Sequence, residues 1–126
     1  MYRRKNMKTV EIERIVEREN LASVMKSGSL DVLATPQMIA WMEEAACLCL
    51  DLDEGQTSVG TMMHVSHDMA SPLGAKILIR ATLVAQEKRK LIFDVEAFQQ
   101  DRSIGKGRHE RFIVAAEKFL NKTYQK

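Results

Sequence analysis

A chain of 126 residues is long enough for one domain with a real core and too short for two. Hydrophobic residues at 45% and charged residues at 29% are the balance of an ordinary globular protein. A formal net charge of +2 is too small to argue for nucleic acid, and no apolar run is long enough to span a bilayer.

The chain begins with a basic stretch, MYRRKNMK, and ends with another, EKFLNKTYQK. A solvated terminus is the plain reading of both, and contact with a polyanionic ligand the sharper one. The charged start has no apolar core behind it, so no secretory signal is expected. Val10 and Ile12 alternate with Glu11 and Glu13, which predicts a first strand. Residues 20–34 are less regular, with Ser27-Gly28-Ser29 as a loop signal; they fit a short helix or a lid over a site.

Residues 35–50 read TPQMIAWMEEAACLCL, a helix apolar on most of its circumference. Thr35 suits the N-cap and Pro36 the first turn, while Asp53-Glu54-Gly55 closes the segment. Gln37, Glu44 and Asp51 recur every seven residues and form one polar stripe. Glu43 is off that stripe. Its neighbours three and four positions away are Ile39, Ala40, Ala46 and Cys47, all apolar. A carboxylate buried there is costly unless paired or used, and burial raises its affinity for protons. The bland alternative is an exposed edge or a dimer contact. Cys47 and Cys49 lie two apart on the same helix, point to different faces and lack companions for a zinc site. Free thiols argue for a reducing compartment, hence the cytoplasm.

From Thr57 the period changes to two. Val59, Thr61, Met63, Val65, His67 and Met69 fall on one face of a strand, and Met62, His64, Ser66 and Asp68 on the other. Ser71-Pro72-Leu73-Gly74 is a turn, and a strand follows through Ile77, Ile79, Ala81 and Leu83. Residues 87–90 turn into a strand with Leu91, Phe93, Val95 and Ala97 on one face. After Asp101-Arg102 a last strand covers 103–115, with a short helix at 117–120. Tight turns force antiparallel neighbours, so the expectation is an α+β domain over 1–126: one apolar helix on one face of an antiparallel sheet. Half-apolar positions on the other strand face leave room for a second subunit.

By parity His67 lies on the apolar face that should meet the helix, while His64 points away, so the pair is no zinc motif. A lone histidine on such a face is commonly a satisfied core residue. A carboxylate on the element packed against it changes that, because acid and base groups with mutually shifted protonation mark sites.

Three segments, TPQMIAWMEEAAC at 35–47, SVGTMMHVSH at 58–67 and GKGRHERFIV at 105–114, resemble the hotdog-fold acyl-CoA thioesterases, most closely the fluoroacetyl-CoA thioesterase group. The likeness covers most of the chain after about Ala34. It implies a hotdog fold, with a five-stranded antiparallel sheet wrapped around a long central helix. It also implies a homodimer and acyl-CoA as substrate; the sequence does not say whether two dimers join as a tetramer. No metal or other cofactor is expected, and neither nucleic acid nor membrane is expected as partner. Carried over by position, the family's helix threonine and glutamate fall on Thr35 and Glu43, its strand histidine on His67, its strand-opening glycine on Gly60 beside Thr61, and its last-strand arginine on Arg111. Thr35, Glu43 and His67 are then the catalytic set, and Gly60, Thr61 and Arg111 bind substrate, in a site at the dimer interface.

The residue types suit thioester hydrolysis. A thioester lacks amide-like resonance and its thiolate leaves readily. Glu43 can attack the carbonyl to give a mixed anhydride, or take a proton from water; His67 can orient Glu43 or activate that water. Thr35 can donate to the carbonyl oxygen, and the Gly60 backbone can approach closely and offer N–H groups to an oxyanion. Arg111 has two readings: a partner for a carboxylate inside the site, or a surface salt bridge to Glu110 or Asp94. The family's selectivity depends on an aromatic lid before the helix. Residues 20–34 contain no Phe, Tyr or Trp, which points to a short or medium acyl group other than fluoroacetyl. Two other readings use the same scaffold: an acyl-CoA binding module without turnover, and a hotdog dehydratase or hydratase using His67-Asp68.

Overall fold

In the computed structural model the chain is described over residues 8–125; the basic start at 1–7 and Lys126 lie outside the described residues. Strand β1 (Lys8–Ile15) leads through a 3-10 turn (Arg18–Asn20) and helix α1 (Ala22–Met25) into the long helix α2 (Thr35–Leu48). Strands β2 (Gln56–Val65), β3 (Lys76–Glu87), β4 (Lys90–Gln99) and β5 (Arg102–Ala115) follow, and helix α3 (Ala116–Thr123) ends the chain. The five strands form one sheet in the order β1-β3-β4-β5-β2, every pair antiparallel. This is the expected α+β layer arrangement.

The core lies between α2 and the sheet. Met38, Trp41, Met42, Ala45 and Cys49 of the helix segment meet Ile77, Ile79 and Ala81 of β3 and Leu91, Phe93, Val95 and Ala97 of β4. The alternation in β3 and β4 is what a sheet with one covered face requires. Helix α2 packs chiefly on β3, β4 and β1. The inner face of β5 and β2 is therefore covered less by its own helix, and β2 is a free edge.

Helix α2 begins one residue earlier than expected. Ala34 is the N-cap, and Thr35 and Pro36 occupy the first helical positions. The Ala34 carbonyl accepts from Gln37 and Met38. The Thr35 hydroxyl is thereby released from capping and bonds elsewhere. The start of the helix is fixed by buried Asn20 instead: its carbonyl accepts from the Ala34 N–H (2.9 Å) and its side-chain amide donates to Gln37 (3.0 Å).

Strand β2 departs from simple alternation. Gly60 pairs with Arg111 and Met62 with Glu110, so Thr61 is an extra residue that bulges out of the ladder. Directly opposed residues share a face. Ser58 opposes Ile113, Gly60 opposes Arg111, Met63 opposes His109 and Val65 opposes Gly107, so these four point to the helix side. Val59 points to the other side, opposite Phe112. The expectation that Val59 and Thr61 share a face with Met63 is overturned, because one inserted residue reverses the parity upstream of it.

Candidate functional site

At the start of α2, the Thr35 hydroxyl lies 2.7 Å from His67 Nδ1. His67 follows the end of β2, and its segment is tied to β5 by Ser66 N–H to the Lys106 carbonyl (2.9 Å) and Asp68 N–H to that of Ile104 (2.6 Å). The imidazole thus faces the helix, as parity predicts. Burial holds His67 below the ordinary histidine range, opposed by the nearby Asp68 carboxylate. Its Nε2 is buried and has no hydrogen-bond partner among the described residues. A crevice of about 220 Å³ opens beside the pair, lined in part by Ala22, Val32, Leu33 and Met69. The segment 20–34 forms its outer wall, stitched down by Leu33 N–H to the Ser71 carbonyl and by a bridge from Val32 to Pro72.

A second cluster surrounds Glu43. Its Oε2 accepts from Arg111 Nη1 at 3.1 Å. Arg111 is buried, and the rest of its guanidinium is held as tightly: Nε donates to Ser58 Oγ (2.8 Å), Nη2 to the Ser58 carbonyl (3.0 Å), and Nη1 also to His109 Nε2 (3.2 Å). Of the two readings of Arg111, the internal carboxylate partner is the observed one. Glu110 and Asp94 take Lys90 and Arg108 instead, at 3.4 and 3.8 Å.

The burial expected for Glu43 is corrected: its side chain is 42% exposed. Of the four apolar neighbours that suggested burial, Ala46 is fully buried in the core, Ile39 is half-buried, and Ala40 and Cys47 are exposed on the flank of α2 that the sheet leaves uncovered. Glu43 is a charge-paired acid at the border of an uncovered apolar surface. Cys49 is buried and Cys47 exposed, both free thiols.

Gly60 sits against this acid. A Cβ there would fall 2.7 Å from Glu43 Oε2 and 3.3 Å from Arg111 Nη1. A side chain at this position would displace the carboxylate from its place beside Arg111. Thr61, expected to touch substrate, is the bulged residue, and its hydroxyl donates to the Glu110 carbonyl at 3.2 Å.

The two clusters do not meet within one chain. Thr35 and Glu43 are eight residues apart on one straight element, about 12 Å at 1.5 Å per residue. Thr35 and His67 form one half of the expected constellation, and Glu43, Gly60 and Arg111 the other. Sequence reasoning did not single out His109 or Ser58. For His109 the signal was parity, since it shares the Arg111 face of β5; for Ser58 parity misleads, because the bulge at Thr61 reverses it.

A family model described as FlK, fluoroacetyl-CoA-specific thioesterase, matches residues 16–117. The chain belongs to that family. The family's thioester hydrolases include a fluoroacetyl-CoA thioesterase of Streptantibioticus cattleyicolor, 37% identical over 98 residues, or 76% of this chain and 70% of that protein. A solved structure of the fluoroacetyl-CoA thioesterase FlK superposes with a TM-score of 0.91 at 28% identity, covering 97% of this chain and 96% of that one. A hot-dog-like protein from Thermanaerovibrio acidaminovorans has a TM-score of 0.84 at 18% identity, with 93% and 88% covered, and shares the fold. The sheet wrapped on α2 is the hotdog fold.

Proposed function

We propose that the chain is an acyl-CoA thioesterase that hydrolyses a short acyl thioester to carboxylate and free coenzyme A, with Thr35, Glu43 and His67 as its catalytic set. The observation that carries this reading is the state of Glu43. A carboxylate anchored by a buried arginine, yet 42% exposed, is paired, oriented and accessible at once. Such a group can attack the thioester carbonyl, expelling coenzyme A thiolate and leaving an anhydride for water to cleave, or it can take a proton from the attacking water. Either route consumes one water and yields carboxylate and thiol. Thr35 and His67 serve the carbonyl oxygen and the water. The orphaned Nε2 of His67 supports this, because buried polar atoms are normally satisfied.

Both halves act on one carbonyl if the site is completed across a homodimer. A two-fold axis pairs residue i with j and j with i. An axis close to Ile39, midway between 35 and 43, brings Thr35 and His67 of each protomer to Glu43 of its partner. The exposed flank of α2, the less covered inner face of β2 and its free edge supply the surface for this pairing. The crevice walled by Ala22, Val32, Leu33 and Met69 takes the acyl group; its small volume favours short acyl groups, and its lack of Phe, Tyr and Trp argues against fluoroacetyl selectivity. The free thiols Cys47 and Cys49 suit a reducing, cytoplasmic setting.

The test is thiol release from a panel of acyl-CoAs from acetyl to hexanoyl, with fluoroacetyl included. Steady turnover of short chains is expected, with Glu43→Gln slower by about 10²–10⁴-fold while its far-ultraviolet dichroism stays unchanged. Tight binding without thiol release would instead make the protein a binding module. Loss of enoyl-CoA absorbance without thiol release would make it a hydratase.

A further inference from the structure

We propose that His109 is a positioning residue for the site: its neutral ring donates from Nδ1 to the Met62 carbonyl and accepts Arg111 at Nε2, clamping the β2 bulge to the arginine that holds Glu43. The proposal rests on the reading of Glu43 above as the catalytic acid. Its geometry is independent of that reading. His109 is 1% exposed on β5, with Nδ1 2.9 Å from the Met62 carbonyl and Nε2 3.2 Å from Arg111 Nη1. A carbonyl can only accept and a guanidinium can only donate. Nδ1 must therefore carry the proton and Nε2 the lone pair. One neutral tautomer satisfies both neighbours, and a doubly protonated ring would set N–H against N–H.

Every element around the ring contributes. Phe93 of β4 stacks on it, with centroids 5.8 Å apart and planes 28° from parallel. Glu43 of α2 and Glu110 of β5 favour protonation, as does the bond to the Met62 carbonyl of β2; burial, the largest influence, and Arg111 oppose it. Met62 follows the bulged Thr61, so the ring fixes the irregular part of β2 against β5. Arg111 Nη1 is shared between His109 and Glu43. Removing the Nε2 lone pair frees that end of the guanidinium, and the Glu43 carboxylate moves with it. His109 acts through Arg111.

Two measurements test this. Long-range ¹H–¹⁵N correlation spectra resolve the tautomers of His64, His67 and His109, assigned by single substitutions. The Nδ1–H form of His109 is expected at pH 7, and an Nε2–H or doubly protonated ring overturns the proposal. In kinetics, His109→Gln keeps an acceptor near the Nε2 position, whereas His109→Asn keeps only the donor toward Met62. The Asn variant should lose about 10–100-fold in kcat with KM little changed, and the Gln variant should recover most of that. Equal losses that track melting temperature, or no loss in the Asn variant, overturn it. If the wild-type protein released no thiol, the thioesterase reading would fall, and the ring spectra would still decide the clamp.

Discussion

Gly60 does more here than allow a close approach of substrate. Its missing side chain is the space in which Glu43 meets Arg111, since a Cβ would stand 2.7 Å from the carboxylate oxygen. Gly60→Ala should leave the fold intact, because the displaced atom ends a flexible side chain. It should nonetheless lower kcat by about 10-fold or more, by moving the acid off its anchor. Thiol release and a melting curve on the same sample check this; a variant that melts far lower but retains full kcat per folded molecule would contradict it. The buried imidazoles set a second expectation. Burial holds His67 and His109 below the ordinary histidine value of 6.5, so the unfolded chain takes up their protons first as pH falls. Stability is then complete above about pH 6.5 and is lost below it, by at most about 1.4 kcal/mol per pH unit for each ring. Urea midpoints between pH 5 and 8 test the sign, and His109→Gln should flatten the slope.

At the scale of elements, the order of strands and helices was legible because its signals are local. The apolar stretch at 35–50, the alternation in β3 and β4, and the polar turns each follow from side-chain periodicity alone. What escaped the sequence depends on partners distant along the chain. The bulge at Thr61 exists only as a mismatch between β2 and β5, and it sent Val59 to the face opposite the expected one. Thr35 reads as an N-cap by type, yet Asn20 fixes the helix start and leaves its hydroxyl to His67. Glu43 was identified by its apolar neighbours, but only Ala46 of these lies in the core, and Ala40 and Cys47 mark an exposed flank. Glycines record close strand contact in the same non-local way. A Cβ on Gly107 would collide with the His64 carbonyl and the Val65 backbone, and one on Gly105 with the Ser66 carbonyl. Gly107→Ala should cost about 1–3 kcal/mol by forcing β2 from β5. It should also loosen the segment that presents His67. Calorimetry measures the first effect, and the His67 ring resonances report the second.

For the whole molecule, the separation of the two clusters is the decisive fact. Thr35 and Glu43 are rooted about 12 Å apart along one helix, and the hydroxyl bonds His67 while the carboxylate bonds Arg111. A charged residue at the proposed axis is therefore a sharp probe. Ile39→Asp should give a monomer by light scattering, with helical dichroism retained and turnover abolished. An active monomer would exclude a shared site. The same arrangement carries a mechanical corollary. Thr35 and Glu43 ride on one helix, and in the proposed dimer two such helices would run opposite ways about the axis, so any axial slip would be counted twice. If each α2 moved forward on its sheet by a given amount, the axial offset between hydroxyl and facing carboxylate would change by double that amount. Side chains beneath the rod, such as Met42 and Ala45, would then act as a vernier: repacking them, far from any substrate atom, would set the reactive spacing.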